Sequence, residues 1–355
     1  MSMQNIAMYV GEIRESHRFD EDRLVDWMSA HIDQFRGPLT VQRFKGGQSN
    51  PTYQLTTPSR SYVMRRKPPG ELLKGAHAID REYRVISALQ SEGFPVARVH
   101  GLCNDDDVIG TAFYIMDLVE GRIFWDPRFP EIGRAERPAY FDAMNTAIAR
   151  LHAIDYAAIG LSDYGRQGNY FSRQIRRWSQ QYFDDELAGR DPHMDLLAEW
   201  LPQHIPSEDE TTIVHGDFRC DNMIFDRTEP RIVAVLDWEL STLGHPLADF
   251  TYHAMMYRLP RSIMSGIKGD DLWAIGLPSE ADYIATYCRR TGREEIRSYE
   301  FYIAFNMFRF AAILHGIKGR YIRGTASSPQ AQEMAANVAP LARLAWEQAE
   351  ISMRR

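Results

Sequence analysis

The sequence predicts an α+β fold with a small, strand-rich N-terminal lobe and a larger, mainly helical C-terminal lobe. Short segments rich in β-branched and aromatic residues, with one helical segment inserted among them, fill the chain up to about residue 117. Helical periodicity dominates from there onwards, apart from one strand-loop-strand segment. We therefore expect one lobe over residues 1 to 117, with a leading helix at about 20 to 35, and another over residues 118 to 355.

The elements of the first lobe follow from periodicity and from chain breakers. Leu24, Met28 and Ile32 recur at helical spacing, and Gly37-Pro38 ends that run. Further along, the patterns predict strands at residues 40 to 44, 52 to 56 and 61 to 66, a helix at about 78 to 92, and strands near 99 to 103 and 112 to 116.

In the second lobe, strands are predicted at residues 211 to 214 and 223 to 225. A continuous apolar run at residues 232 to 236 indicates a buried strand that ends in Asp237. Residues 302 to 317 are the most apolar stretch, but they are too short for a bilayer and contain Asn306 and Arg309. We therefore expect a buried helix there.

Composition restricts the class of protein. The net charge of -7 argues against a nucleic-acid partner held by bulk charge. Cys103, Cys220 and Cys288 show no metal-ligand spacing, which favours a reduced, cytoplasmic setting. No targeting segment is visible, and we expect no membrane partner and a monomer or homodimer.

The motif HGDFRCDN at residues 215 to 222 carries the strongest functional signal. It places Asp217 and Asn222 at the D-x-x-x-x-N spacing of a phosphoryl-transfer loop, in which the Asp accepts a hydroxyl proton and the Asn holds Mg²⁺. Asp237 follows as a second acid at a strand tip, in the place of the metal-binding Asp of a kinase. The alternative is that Asp217 and Asn222 only form a turn and Asp237 only caps a helix. Both elements in this order favour the phosphotransferase site.

These motifs, followed by GHPLAD at residues 244 to 249, resemble the aminoglycoside phosphotransferase and choline kinase family. GQSNPTY at residues 47 to 53 and DREYRV at residues 80 to 85 look like the kinase-like domain fused to some acyl-CoA dehydrogenases. The resemblance covers about residues 44 to 323. It implies a protein-kinase-like two-lobed fold, ATP as phosphate donor with GTP as the alternative, Mg²⁺, and a small-molecule hydroxyl as acceptor.

The same resemblance assigns the nucleotide-binding parts. A loop between two strands would cover the phosphates, since glycines let the backbone approach an anion, although a plain hairpin is the alternative. The loop residues are Gly46, Gly47, Gln48, Ser49 and Asn50. Backbone groups around Asp117 and Val119 would meet the adenine.

The cation that anchors the phosphates departs from the usual lysine. Arg65 is in register with it, and strand alternation puts Val63 and Arg65 on one face. Lys67 shares that face and is a rival, although it precedes Pro68 and is expected to leave the strand. Glu82 on the following helix is the expected carboxylate partner, unless it is a surface residue in a charged run.

Other polar residues near the motif have structural interpretations. His245 and Asp249 lack a third metal ligand, so we expect Asp249 to orient the catalytic loop, as the resemblance implies. His215 is expected to be a packed, hydrogen-bonded residue, and Cys220 a packed thiol.

The acceptor has to be inferred from charge. Residues 301 to 332 contain no acid, and the last hundred residues hold 14 Lys/Arg and 10 Asp/Glu, a balance of +4. Glycines beside Lys318 and Arg320 are expected to let the chain bend over a cleft, and Arg173 and Arg177 share a helical face. Solvated surface charge is the alternative for each cation. The candidate acceptor-binding residues are Arg309, Lys318, Arg320 and Arg323.

This charge favours a neutral or anionic acceptor, such as a hydroxyacyl-CoA-type metabolite, over a polycation. The sequence therefore predicts a kinase that transfers the γ-phosphate of ATP to an alcohol group. An aminoglycoside-modifying enzyme and a nucleotide-binding pseudokinase or interaction module remain as alternatives.

Overall fold

The computed structural model describes residues 10–11, 18–44, 50–68, 78–326 and 329–354. The chain forms two compact units, and both are discontinuous in sequence. The first comprises the described residues up to Ile123 together with residues 157–161 and 222–241, and the second comprises the rest. The division differs from a single boundary after residue 117, because the segment that ends the D-x-x-x-x-N motif and carries Asp237 belongs to the first unit.

The first unit contains a six-stranded antiparallel sheet in the order β1-β2-β3-β4-β6-β5. Its strands are β1 (Val10–Gly11), β2 (Thr40–Phe44), β3 (Thr52–Thr56), β4 (Ser61–Arg66), β5 (Val99–Cys103) and β6 (Phe113–Asp117). Its helices are α1 (Glu21–His31), α2 (Ile79–Ser91) and α3 (Asp106–Ile109). The predicted strands at 40–44, 52–56, 61–66 and 99–103 are confirmed to the residue.

The sheet uses its two faces differently because side chains alternate along a strand. Tyr62 and Met64 of β4 pack in a buried apolar core with Leu24 and Met28 of α1. Arg65 is the next residue after Met64 and therefore points to the opposite face. The first helix is shorter than predicted, since Ile32 already has extended backbone, with φ -116° and ψ 113°.

A two-stranded hairpin of β8 (Met223–Phe225) and β9 (Ile232–Val235) completes the first unit. All the described residues of β8 are buried, as are three of the four in β9. The apolar run therefore forms the buried strand that the sequence predicts, and it delivers the chain to Asp237.

The second unit is mainly helical. Its helices are α4 (Arg137–Ala153), α5 (Tyr170–Asp184), α6 (Pro192–Gln203), α7 (Pro246–Ala254), α8 (Leu272–Ile275), α9 (Glu280–Thr291), α10 (Tyr299–Ile322), α11 (Ala331–Ala336) and α12 (Val338–Met353). Its two strands, β7 (Thr212–Val214) and β10 (Thr242–Gly244), pair antiparallel. The predicted α+β fold with a small antiparallel sheet and a helical C-terminal part is confirmed.

Helix α10 forms the centre of the second unit. Most of its side chains are buried, and it packs against α5, α7 and α12. Burial on all sides explains why its sequence is apolar around most of the circumference. Among the described residues, no helix combines the length and apolar character needed to cross a membrane.

Candidate active site

In the first unit, the side chain of Arg65 connects three carboxylates. Its Nε lies 3.1 Å from Glu82 Oε2, and its Nη2 donates to Asp237 Oδ1 at 2.9 Å. Glu239 Oε2 lies 3.6 Å from the same Nη2. The predicted pair of Arg65 and Glu82 is therefore formed, and Asp237 joins it.

Glu82 is fixed on its other side by neutral donors. Asn50 Nδ2 donates to Glu82 Oε1 at 2.9 Å, and the Tyr114 hydroxyl donates to Glu82 Oε2 at 3.2 Å. Burial raises the pKa of Glu82 to about 7, against the opposing effect of Arg65. Burial lowers the pKa of Arg65, but the interactions with Glu82, Tyr114 and Asp237 raise it by more. The net pKa lies above the usual value of an arginine, so the guanidinium stays charged.

Asp237 has an unusual backbone for a residue with a side chain. Its φ of 61° and ψ of 64° lie in the left-handed region, which Asp and Asn tolerate better than most residues. The carbonyl of Asn222 accepts a hydrogen bond from Leu236 N–H at 2.8 Å. The two predicted metal-binding residues are therefore brought close together at the end of β9.

The charge of this cluster suits a cation. Three carboxylates face one guanidinium, which leaves an excess of negative charge, and the side chains of Asp237 and Glu239 are 35% and 29% exposed. Within the described ranges, no group of three or more His, Cys, Asp or Glu side chains is arranged as a metal site. Mg²⁺ commonly takes only one or two protein oxygens beside substrate phosphates, and the side chains of Asn222 and Asp237 carry oxygens of that type.

The other residues predicted to bind the nucleotide lie in different parts of the chain, and some of them fall outside the described residues. Gly46, Gly47, Gln48 and Ser49 lie outside the described residues, and Asn50 is buried against Glu82. Lys67 follows the end of β4, as expected, and its N–H donates to Ala112. The backbone N–H of Asp117 donates to the carbonyl of Arg98. The carboxylate of Asp117 accepts hydrogen bonds from Arg60 and His100. Val119 follows β6 and is half-buried.

In the second unit, Asp249 holds the first part of the HGD loop. Its carboxylate accepts the backbone N–H groups of His215 and Gly216, both at 2.8 Å, and lies 3.3 Å from His152 Nε2. Burial raises the pKa of Asp249, but the hydrogen bond and charge of His152 outweigh it, and the net direction is downward. Gly216 has a φ of 83°, which a residue with a Cβ rarely adopts. Asp249 therefore orients the loop, as the resemblance implies.

Asp217 has one hydrogen-bond donor and one ion-pair partner that we did not predict. The Tyr252 hydroxyl donates to Asp217 Oδ1 at 2.6 Å, and Arg219 Nε lies 3.1 Å from the same oxygen. Arg219 Nη2 also donates to Asp221 Oδ2 at 2.8 Å. Burial, and then the charge of Asp217, raises the pKa of Tyr252, so its hydroxyl remains a donor.

The four cationic residues predicted to bind the phosphate acceptor lie in different environments. Arg309 is buried, donates to Gly216 O at 3.0 Å and lies over the ring of Tyr252. Arg323 pairs with Asp185, Arg320 lines a cavity, and Lys318 is half-buried. The expected bend was wrong, because α10 runs unbroken through Gly316 and Gly319.

The structural interpretations of His215 and Cys220 are confirmed, and His245 caps a helix. His245 Nδ1 accepts from Leu247 N–H at the start of α7, and burial lowers its pKa to about 4. His215 is buried and accepts from the Asp217 N–H. Cys220 is buried, and burial raises the pKa of its thiol, so it is a packed thiol.

One sequence signal could have found Tyr252. It follows Asp249 by three residues on α7, and residues at that spacing lie on the same face of a helix. Both side chains can then reach the same loop. Tyr114 had no comparable signal, because its place beside Arg65 depends on the β4–β6 register.

The fold and these side-chain arrangements define a kinase-like phosphotransferase class. The chain belongs to the phosphotransferase enzyme family known as APH, whose model matches residues 40–302.

Two curated relatives extend well beyond the matched part. Acyl-CoA dehydrogenase family member 10 of Mus musculus is 41% identical over 338 residues, covering 94% of this chain and 32% of that protein. Acyl-CoA dehydrogenase family member 11 of Gallus gallus is 44% identical, covering 93% of this chain and 44% of that protein. The chain thus spans less than half the length of either relative.

Solved structures support the same family. A Ralstonia eutropha protein classed as an aminoglycoside phosphotransferase is 52% identical, with a TM-score of 0.87 over 94% of this chain and 99% of that one. Choline kinase from Cryptosporidium parvum has a TM-score of 0.64 at 10% identity, covering 94% and 97%. Aminoglycoside phosphotransferase APH(4)-Ia, solved with ADP and hygromycin B, has a TM-score of 0.56 at 14% identity, covering 90% and 97%. The last two likenesses concern the fold alone.

Proposed function

We propose that this protein transfers the γ-phosphoryl group of ATP to a hydroxyl group of a small molecule, with GTP as the alternative donor. The observation that carries the proposal is the ion cluster in which Arg65 pairs with both Glu82 and Asp237. A buried guanidinium held by carboxylates is a preformed binding group for phosphate oxygens.

Each residue has a definite role in this reaction. Arg65, oriented by Glu82, binds the α- and β-phosphates, and the predicted loop of residues 46 to 50, of which the structure describes Asn50, would cover them. Asp217 accepts the hydroxyl proton of the acceptor, and Tyr252 and Arg219 keep its carboxylate in place. Backbone groups near Asp117 and Val119 meet the adenine.

Asn222 and Asp237 would hold Mg²⁺. When bound, the metal neutralises charge on the phosphate oxygens during transfer. Asp237 is already an acceptor of a cationic donor in this structure, and its carboxylate is partly exposed. The excess of carboxylates around Arg65 supports the same assignment.

We propose a neutral or anionic acceptor, such as a hydroxyacyl-CoA-type metabolite. The absence of acids from residues 301 to 332 supports it, since polycations need acidic pockets. The names of the curated relatives, both acyl-CoA dehydrogenase family members, support an acyl-CoA link. An aminoglycoside acceptor is the second candidate, because the Ralstonia eutropha protein is classed with those enzymes and APH(4)-Ia was solved with hygromycin B.

The test uses ATP labelled in its γ-phosphate and a panel of hydroxyacyl-CoAs, amino alcohols and aminoglycosides. We expect label in a hydroxyacyl-CoA-type product, and roughly 10²–10⁴-fold less with Asp217→Asn, because that variant lacks the base. Asp142→Asn is the matched control, since Asp142 pairs with Arg290 on an exposed surface.

Nucleotide binding should survive in Asp217→Asn, which separates loss of chemistry from loss of folding. Efficient labelling of aminoglycosides alone would replace our acceptor with the second candidate. Nucleotide binding without label transfer to any acceptor would favour a pseudokinase, and wild-type turnover in Asp217→Asn would remove its role as base.

A further inference from the structure

A cavity of about 470 Å³ lies in the second unit, between α5 and the C-terminal part of α10. Arg177 and Gln181 of α5 and Gly316, Arg320 and Arg323 of α10 contribute to its lining. The glycine keeps this wall open, because a Cβ at Gly316 would lie only 3.1 Å from Gln181 Nε2 and 3.6 Å from Arg320 Nη1.

The arginines of this cavity differ in their partners. Arg323 forms two hydrogen bonds with Asp185, at 2.8 and 2.7 Å. Over the part of the chain that the structure describes, no carboxylate lies within 4.0 Å of a guanidinium nitrogen of Arg177 or Arg320. Asp184, the other acid at the cavity, accepts instead from Gln180 at 2.6 Å. The cavity therefore offers two cations that have no internal counter-ion.

The cavity and the catalytic loop lie along one face of α10. Arg309, Gly316 and Arg320 are separated by nearly whole numbers of helical turns, so their side chains project from the same face. Arg309 donates to Gly216 O, directly before Asp217. Arg320 lies three turns further on, about 16 Å along the helix axis.

The part of this face between the two arginines is apolar. Ala312 and Ile313 lie there, one turn beyond Arg309, and Ile313 is partly exposed. No charged residue occurs in α10 between Arg309 and Lys318. The face therefore has a reactive end, an apolar middle and a basic end.

We propose that the basic cavity at Arg177 and Arg320 binds a phosphate group at the far end of an elongated acceptor. The inference rests on the proposed function, because the acceptor hydroxyl is the group that meets Asp217. The acceptor then carries its hydroxyl and its phosphate on the order of 16 Å apart, joined by an uncharged segment. Two guanidinium groups without a carboxylate partner match a phosphate, which accepts several charge-assisted hydrogen bonds.

The first test measures binding, so it does not depend on turnover. Inorganic pyrophosphate is titrated calorimetrically into the wild type, into Arg177→Ala/Arg320→Ala and into the control Arg176→Ala, which removes an exposed arginine next to the site. We expect the double variant to bind at least about tenfold more weakly and the control to match the wild type. Arg177→Lys/Arg320→Lys should bind with intermediate affinity, because it keeps charge but not the planar donors.

The second test asks whether the bound anion belongs to the acceptor. Pyrophosphate should compete with a phosphorylated acceptor such as a hydroxyacyl-CoA for binding, and the double variant should raise the KM of that acceptor without raising that of ATP. Equal pyrophosphate affinity in all variants would overturn the site. Binding without competition would also overturn the proposal, since it indicates a separate anion. Loss of label transfer with binding and competition intact would instead point to failure of the proposed function.

Discussion

In the first unit, Glu82, Asp237 and Glu239 share the single guanidinium of Arg65, whereas in the second unit Asp249 accepts two backbone N–H groups and faces one histidine. The first arrangement has more negative charge than it can neutralise internally. The second satisfies its one buried carboxylate with donors of the same unit. The difference suggests that the first cluster is arranged to take up a cation and the second to hold a loop.

The most direct way to break this comparison is to remove one charge from each unit. Asp249→Asn should lower the free energy of unfolding by about 2 to 3 kcal/mol, because a buried acceptor of two N–H groups loses its charge. Asp237→Asn should change it by less than about 0.5 kcal/mol, since the cluster has an excess of acid and Asn tolerates the left-handed backbone. Urea denaturation measures both.

Asp237→Asn should instead abolish the tightening of ATP binding by Mg²⁺, measured by titrating nucleotide with and without the metal. Equal destabilisation in the two variants would erase the distinction between the units. An unchanged Mg²⁺ effect would remove Asp237 as a ligand.

Tyr252→Phe sharpens the role of the second unit. The variant removes the 2.6 Å hydrogen bond to Asp217, and hydrogen bonds to charged groups contribute about 1.5 to 3 kcal/mol. We expect kcat to fall roughly tenfold or more while the KM for ATP is unchanged. Tyr257→Phe is the control, because its hydroxyl donates to Pro278 O instead. A rise in the KM for ATP with constant kcat would contradict a positioning role.

The last prediction concerns pH, where the units should respond in opposite directions. Burial lowers the pKa of His253 to about 4 from 6.5, so the unfolded chain binds that proton first and stability falls as pH drops through this window. Burial raises the pKa of Glu82 to about 7 from 4.5, so the native state takes up that proton first and its contribution to stability grows as pH drops from 7 to 4.5.

Each contribution is on the order of 3 kcal/mol at most. Urea denaturation at neutral and mildly acidic pH should therefore show a smaller acid destabilisation in His253→Gln and a larger one in Glu82→Gln. Changes of the same sign in both variants would contradict the assignment.

Local pattern predicted much of this molecule, because it depends on residues close in sequence. The apolar run before Asp237 and the loop from His215 to Asn222 are short segments. Their structure and chemistry can be predicted from their own residues, without knowing which other segments they contact. The pairing of Arg65 with Glu82 followed from strand alternation and from the resemblance. These features needed no knowledge of long-range packing.

Features set by contacts between distant segments could not be read from the sequence. The hydroxyl of Tyr114 reaches Glu82 only through the β4–β6 register, and Asn50 reaches it across 32 residues. The glycines of α10 were misread as a bend. A Cβ at Gly319 would lie 1.8 Å from Asp185 Oδ2, so that glycine makes room for the carboxylate that pairs with Arg323.

The left-handed backbone of Asp237 also restricts how this position can vary. Most side chains are strained there, and Gly, Asn and Asp are the residues that accept the conformation readily. Only Asp adds a negative charge. Selection for folding alone would therefore accept Gly, Asn or Asp at position 237. Selection for metal binding as well would leave only Asp. Under the proposed role of Asp237, this position would tolerate almost no substitution, although its side chain is partly exposed at the end of a strand.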